Sequence, residues 1–517
     1  MIFRWDHTES LKKMKYKIYY NLLLILVLSS ISFAQDSLVT KIDSSNTQDS
    51  LTLQEIYNQL DDIFNDQSFV NSHWGVVIQS LATGEYFYKR NENKFFVPAS
   101  NLKLFTTAAG LIILGPSYKF STNFWTNGYQ TGSTLVGDLI IQGRGDPTIS
   151  GRFHNGDINF VFDTWIDSLL EKGITKIKGN IVGDDNLFDD LGLGDGWAWD
   201  YETDWYAAQS SALSYNDNCI DLIIKYNKEL DSVIVTQKPE LRGIVVLNNV
   251  KPAADGEQTR INLTRERGTN VINVYGRFKK SSDSLVTYST VKNPTLLLIM
   301  AFKNRLESRG IRVNGYTVDV DDYEKIIDYK INKLLFTTYS DELSEIIKVI
   351  NKNSQNFFAE QLLKTIGLEV SGLGSATNGI LAAKEIFSEI GLNPDNIEMF
   401  DGSGLSHLNM ITPKQVVELL KYIYSDATLY PYFYNSLPIA GVDGTLGRRM
   451  KNTIAENNVR AKTGYISHVR SLSGYAYTAD NEPVAFSMIA NNFNVPVKLA
   501  ENLQDLVCLR ITNFRRK

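Results

Sequence analysis

Two short strings far apart in the chain must share one pocket for their chemistry to combine. Ser100-Asn101-Leu102-Lys103 sets a hydroxyl and an amine three positions apart, and Ser354-Gln355-Asn356 sets a hydroxyl beside a carboxamide. Roughly 250 residues separate them, enough chain for one or two further domains. A third string, Lys462-Thr463-Gly464, follows near the C-terminus. A chain of this kind folds as one domain split by an insertion, its two halves closing on each other.

None of the strings is decisive alone. S-x-x-K recurs at Ser10 to Lys13 and at Ser289 to Lys292, and S-x-N recurs at Ser44, Ser121 and Ser214, whereas K-T-G occurs once. Context selects Ser100. It follows Val97-Pro98-Ala99 and opens an apolar run, Leu102 to Leu114, which predicts a buried helix ended by Gly115-Pro116. A three-residue step on a helix puts Ser100 and Lys103 on one face, and the helix N-terminus adds unpaired N–H groups. Ser10 lies in the leader, and Ser289 stands among β-branched residues that predict strand or loop.

A serine needs a base to become a nucleophile. The five histidines fall in no Ser-His-Asp pattern, and G-x-S-x-G is absent. Lysine serves instead when burial and a second cation destabilise its ammonium. Lys103 is the predicted base and Lys462 the second cation, the Ser-Lys form of triad logic. Ser100 then attacks a carbonyl, and Ser354, bonded between the two lysines, relays the proton to a leaving amine. Asn356 holds the substrate amide and orients Lys103. Lys462 and Thr463 bind a substrate carboxylate, Gly464 leaves room along a strand edge, and the N–H groups of Ser100 and Tyr465 form an oxyanion hole. Each residue also has an ordinary alternative: solvated lysines, a loop serine at 354, a helix cap at Asn356.

Composition limits the other possibilities. Of 517 residues, 43% are hydrophobic and 21% charged, which predicts a large core and several domains. The net charge of −6 gives no support to nucleic-acid binding. Four lysines between 12 and 17, the apolar run Leu22 to Leu28 and Ser32-Phe33-Ala34 predict a cleaved secretory signal over 1–34. An exported, periplasmic or extracytoplasmic location follows, with no integral membrane segment in the mature chain. Met14 is the alternative start. Cys219 and Cys508, flanked by apolar residues, read as small buried side chains rather than a pair. The histidines show no metal spacing, and the Asp184-Asp185 and Asp189-Asp190 pairs read as polar turns. No metal or cofactor is expected.

The predicted organisation is α+β. A Ser/Asp/Thr-rich tether covers 35–51, and 52–120 forms the first part of the catalytic domain. Inserted β-rich subdomains cover 121–335, with one helix near Pro294 to Arg309, and 336–517 completes the catalytic domain. Within that last part a helix ends at a Gly367 stop. Three antiparallel strands, 458–465, 470–478 and 483–490, precede a final helix.

The ordered triplet resembles the S-x-x-K, S-x-N and K-T-G set of serine enzymes that open D-alanyl-D-alanine peptides or β-lactam rings. Further strings narrow the resemblance. They are Gly145-Asp146-Pro147-Thr148, Gly179 to Asp184, Tyr206-Ala207 with Ser211-Ala212-Leu213, Asn216-Asp217-Asn218, Asp401-Gly402-Ser403-Gly404-Leu405-Ser406 and Gly441 to Leu446. Together they are similar to the D-alanyl-D-alanine carboxypeptidase/endopeptidases, the low-molecular-mass class C penicillin-binding proteins. The resemblance implies a penicillin-binding transpeptidase-like domain, a five-stranded antiparallel sheet flanked by helices and interrupted after the first motif. It implies peptidoglycan stem peptides as substrate, β-lactams as covalent inhibitors and Ser100 as the acylated residue. Three positions depart from the pattern: Gln355 where Asp is common, His407 where Arg is frequent, and Tyr465 where a small residue follows K-T-G. Two readings remain beside it. One is a β-lactamase or esterase on the same scaffold, and the other is a non-catalytic wall-binding protein.

Overall fold

A computed structural model describes residues 50–517. The expected signal, most of the tether, and Ser10 and Ser44 lie outside the described residues. The first helix, Leu53–Phe64, starts at a capping box in which Thr52 and Glu55 satisfy each other's backbone N–H groups. Its stripe of Ile56, Leu60 and Phe64 is buried.

The central sheet joins both ends of the chain. Its order is Tyr86–Arg90, His73–Ser80, Pro483–Asn491, Val469–Tyr477, Arg460–Ile466, antiparallel throughout. Side chains alternate between faces, as the pleat requires. Val76, Ile78, Phe486 and Met488 pack toward Leu53–Phe64 and Val497–Asn513. Val77, Ala485 and Ile489 pack toward a helical layer that includes Lys103–Ile113, Asn356–Ser371 and Pro413–Ser425. Each face therefore carries its own apolar core, and the sheet is rigid between them. Arg460–Ile466, which carries Lys462-Thr463-Gly464, lies at the edge; its first residues pair outward with Pro438 to Ala440, and beyond them its outer side has no strand partner among the described residues.

Lys119–Thr126 and Lys333–Glu342 pair antiparallel, so the chain departs from the catalytic layer and returns to it at one place. Between them lie short strands in four sheets around a separate core. That core also takes a helix absent from the sequence reading, Phe160–Glu171, which buries Phe162, Trp165, Ile166 and Leu169. The run from Leu135 to Gln142 is two strands, Thr134–Val136 and Leu139–Gly143, broken where Gly137 adopts φ 136°. The expected stop at Gly367 is also corrected. The helix runs on to Ser371, and Gly372 in the left-handed conformation ends it. Gly367 is instead a point of close approach, where a Cβ would lie 2.8 Å from the Gly379 nitrogen and 2.9 Å from the Ser375 oxygen.

Ser289 is fully buried in the strand Leu285–Thr290, which removes the second S-x-x-K from contention. Cys219 and Cys508 are free and buried in different cores. Among the described residues no helix is long and apolar enough to cross a membrane.

Candidate active site

The segment before Ser100 is bolted to the central sheet. Asn491 brackets Val97, accepting its N–H at 2.9 Å and donating to its carbonyl at 3.1 Å. Ser471 donates to the Pro98 carbonyl at 2.6 Å, and Asn101 donates to Ser473 at 2.6 Å. Ala99 sits at φ 48°, a left-handed conformation that costs a non-glycine residue energy and turns the chain sharply. Ser100 lies on the tight turn Ala99–Leu102 that leads into the helix Lys103–Ile113, rather than on the α-helix itself.

Lys103 has no solvent exposure. Its Nζ donates to Ser100 Oγ at 3.0 Å, to Asn356 Oδ1 at 2.6 Å and to the Ser403 carbonyl at 2.7 Å. All three acceptors are neutral. Burial therefore dominates and lowers its pKa to about 7, although Asp401 and Glu360 pull the other way. A lysine so placed has a substantial neutral fraction near pH 7, which a general base needs.

Lys462 is likewise fully buried, and burial, then Lys103 and Arg470, hold it well below the usual lysine range. It donates to Ser354 Oγ at 2.8 Å and to the Thr463 carbonyl at 2.7 Å. Ser354 is thus bonded to Lys462, while Lys103 bonds Asn356 instead, so the expected bridge between both lysines is half formed. Ser354 has φ 57°, a strained conformation for serine that presents its hydroxyl at this junction. Asn356 opens the helix Asn356–Ser371, and its amide donates to the Tyr206 carbonyl at 2.7 Å. Gln355 turns away and donates to Asp217 at 3.0 Å.

Gly464 is a point of close approach within the protein, which corrects the expected room for a ligand there: a Cβ would overlap Ser471 Oγ and lie 2.8 Å from the Pro98 oxygen and 3.1 Å from the Ser100 nitrogen. Thr463 meets Thr445 at 2.7 Å. Tyr465 is 54% exposed at the strand edge, its ring centroid 5.9 Å from the Arg470 guanidinium.

Apart from Asn356, sequence reasoning assigned no role to the groups that hold Lys103 in place. Buried Glu360 accepts the N–H groups of Gly402, at 2.9 Å, and Ser403, at 2.8 Å. That fixes the loop whose Ser403 carbonyl meets Lys103. Asp401 accepts from the N–H groups of Gly404 and Ser406, at 2.8 and 2.7 Å, and from Asn409 and Trp197, at 2.8 and 2.9 Å. Gly404, at φ 79°, passes so close that a Cβ would overlap the Ala99 carbonyl. Burial, with the Asp401 charge, pushes the Glu360 carboxyl up. The D-G-S-G-L-S string was the only signal for this cage.

Glu360→Gln is expected to keep the shape of the cage while removing a charge that favours the Lys103 ammonium. The acidic limb of kcat/KM should move to lower pH, read from a pH–rate profile beside a melting curve. An unmoved limb would make Glu360 a purely structural residue.

A family model described as D-Ala-D-Ala carboxypeptidase 3 (S13) matches residues 56–509. The chain belongs to this family. Among curated relatives, this S13 chain is 34% identical over 478 residues to the D-alanyl-D-alanine carboxypeptidase of Actinomadura sp. strain R39, covering 89% of this chain and 85% of the relative. It is 26% identical to the D-alanyl-D-alanine carboxypeptidase DacB of Haemophilus influenzae, covering 90% and 94%. Its fold matches crystalline penicillin-binding protein 4 (dacB) of Haemophilus influenzae, with TM-score 0.75, 24% identity and coverage of 88% and 99%. The chain thus shares its fold, five-stranded sheet included, with that penicillin-binding protein.

Proposed function

We propose that the protein is an exported serine DD-peptidase that cleaves peptidoglycan stem peptides through an acyl-enzyme on Ser100. The observation that carries this reading is the buried Lys103 amine, 3.0 Å from Ser100 Oγ and with its pKa lowered to about 7. Lys103 takes the Ser100 proton as Oγ attacks the carbonyl of the penultimate D-Ala. The N–H groups of Ser100 and Tyr465 receive the oxyanion, and losing one such donor typically costs about 3 kcal/mol of barrier. The proton passes by way of Ser354 to the departing amine nitrogen as the C–N bond breaks. Water, deprotonated by Lys103, then cleaves the ester and restores Ser100. Asn356 holds the substrate amide, Lys462 and Thr463 hold its carboxylate, and Gly464 lets the strand close on the turn that carries Ser100. β-Lactams present the same carbonyl to Ser100 and acylate it.

The division into 52–120, 121–335 and 336–517 goes with this reading, as does an extracytoplasmic location where peptidoglycan is found. The nearby acids Glu360 and Asp401 are occupied by backbone N–H groups, which leaves none free to speed deacylation in the manner of a β-lactamase. Incubation with purified muropeptides, followed by mass spectrometry, tests the proposal. Loss of one D-Ala marks carboxypeptidase action, and halved cross-linked dimers mark endopeptidase action. Intact muropeptides beside rapid turnover of a chromogenic cephalosporin would favour the β-lactamase reading.

A further inference from the structure

One sheet of the inserted region carries a charge pattern that the catalytic site does not use. Its strands lie in the order Val245–Pro252, Val271–Phe278, Arg260–Arg265. Lys251 is opposite Arg277, and Arg277 is opposite Arg260. All three are exposed, so three cations form one row across the sheet at adjacent strand spacings of about 5 Å. The ion pairs nearby, Arg267–Glu202 and Lys280–Asp231, use other cations. The acids of the adjoining turn are Asp255 and Glu257, and Glu257 caps the Ala254 N–H at 3.0 Å.

Like charges directly opposite one another destabilise a sheet. The net charge of −6 rules out a general excess of basic residues as their origin. Arg277 donates to the Pro252 carbonyl at 3.4 Å, but among the described residues no carboxylate pairs with any of the three, and a local rule broken without a compensating charge marks a surface kept for a partner. The next row holds Asn249, Tyr275 and Asn262, and the one beyond it Leu247, Asn273 and Thr264. Asn249 donates to Asn273 at 2.8 Å, which ties these two rows into one polar ladder. The face therefore offers cations at one end, then amides and an aromatic ring. Carboxylates suit the first, and sugar hydroxyl and acetamido groups suit the second.

The sheet is also fastened to the active site. On its inner side Arg265 donates to the Glu202 carbonyl at 2.8 Å, and its N–H donates to Thr203 at 3.0 Å. Three residues on, the Tyr206 carbonyl receives the Asn356 amide. One short stretch of chain thus carries both the basic face and a support of the S-x-N motif.

We propose that this face docks the polymeric substrate away from the bond being cut, binding a glycan strand whose stem peptides present carboxylates to Lys251, Arg260 and Arg277. The inference rests on the DD-peptidase reading. Its test compares wild type with K251E/R260E/R277E and with K251Q/R260Q/R277Q. Co-sedimentation with purified insoluble peptidoglycan is measured at low and high salt, alongside hydrolysis of a short soluble D-Ala-D-Ala peptide. Wild type should sediment with the wall in a salt-sensitive way. The reversal variant should lose that binding and cleave the polymer several-fold more slowly, the neutral variant should fall between, and both should keep wild-type rates on the short peptide. Equal sedimentation and equal polymer cleavage by all three would overturn the proposal. So would charge-dependent binding to phosphatidylglycerol vesicles together with charge-independent binding to peptidoglycan, because the face would then serve a membrane. If wild type leaves the short peptide intact, the DD-peptidase reading fails, while the sedimentation arm still reports on the face.

Discussion

Ser100→Ala abolishes covalent labelling by fluorescent penicillin and lowers stem-peptide hydrolysis by at least about a thousandfold, the scale on which loss of a nucleophile is felt. The nearest hydroxyl of similar standing, Ser354, cannot substitute. Its partner is Lys462, whereas the Lys103 amine is bonded to Ser100, Asn356 and the Ser403 carbonyl. The Ser100 hydroxyl takes part in the single bond from Lys103, so its removal leaves the fold intact and the melting profile close to wild type. A gel of labelled wild type and variant is the measurement. Labelling that persists in Ser100→Ala would place the nucleophile elsewhere.

Lys103→Ala should also lose acylation, by a comparable factor, while remaining folded. Two effects on stability oppose each other. The change strips Asn356 Oδ1 and the Ser403 carbonyl of a buried donor, but it also removes an ammonium that burial disfavours. Wild-type acylation should climb as pH rises through about 7 and level off above, because the neutral amine is the active form. The sign for stability follows from the same shift. The folded pKa is lowered, so between about 7 and the ordinary lysine range the unfolded chain binds more protons than the folded one. Stability therefore rises with pH across that window, and below it the full penalty remains. Lys103→Ala removes this component, so its melting temperature should gain on wild type as pH falls toward 7. A pH-independent difference between the two would mean that Lys103 is not held neutral by burial.

The contact between Ser100 and Lys103, the proposed nucleophile and base, was legible in the sequence because a side-chain identity at a fixed spacing carries it. Ser100 and Lys103 are three apart, and a helical step brings them together whatever follows. The central sheet was legible for a related reason, since Arg460–Ile466, Val469–Tyr477 and Pro483–Asn491 are consecutive and joined by short turns. The supports of Lys103 were hidden because they act through backbone. The carbonyls of Tyr206 and Ser403 belong to no residue type, and Glu360 is one acid among many until Gly402 and Ser403 are seen to face it. The helix Phe160–Glu171 was missed because it lies among short β-like runs. Gly367 misled because a glycine that admits a neighbouring helix looks in sequence like one that ends its own.

The central sheet takes strands from both ends of the described chain, and the edge strand bearing Lys462 is the first of its three C-terminal strands. During synthesis Ser100 emerges long before the strand bearing Lys462 and Tyr465 exists. A nascent or C-terminally clipped polypeptide accordingly has a serine and an amine but no cleft, and proteolytic loss of the final three strands would silence the enzyme without touching Ser100. The site thus becomes complete late, once the three C-terminal strands have joined the sheet.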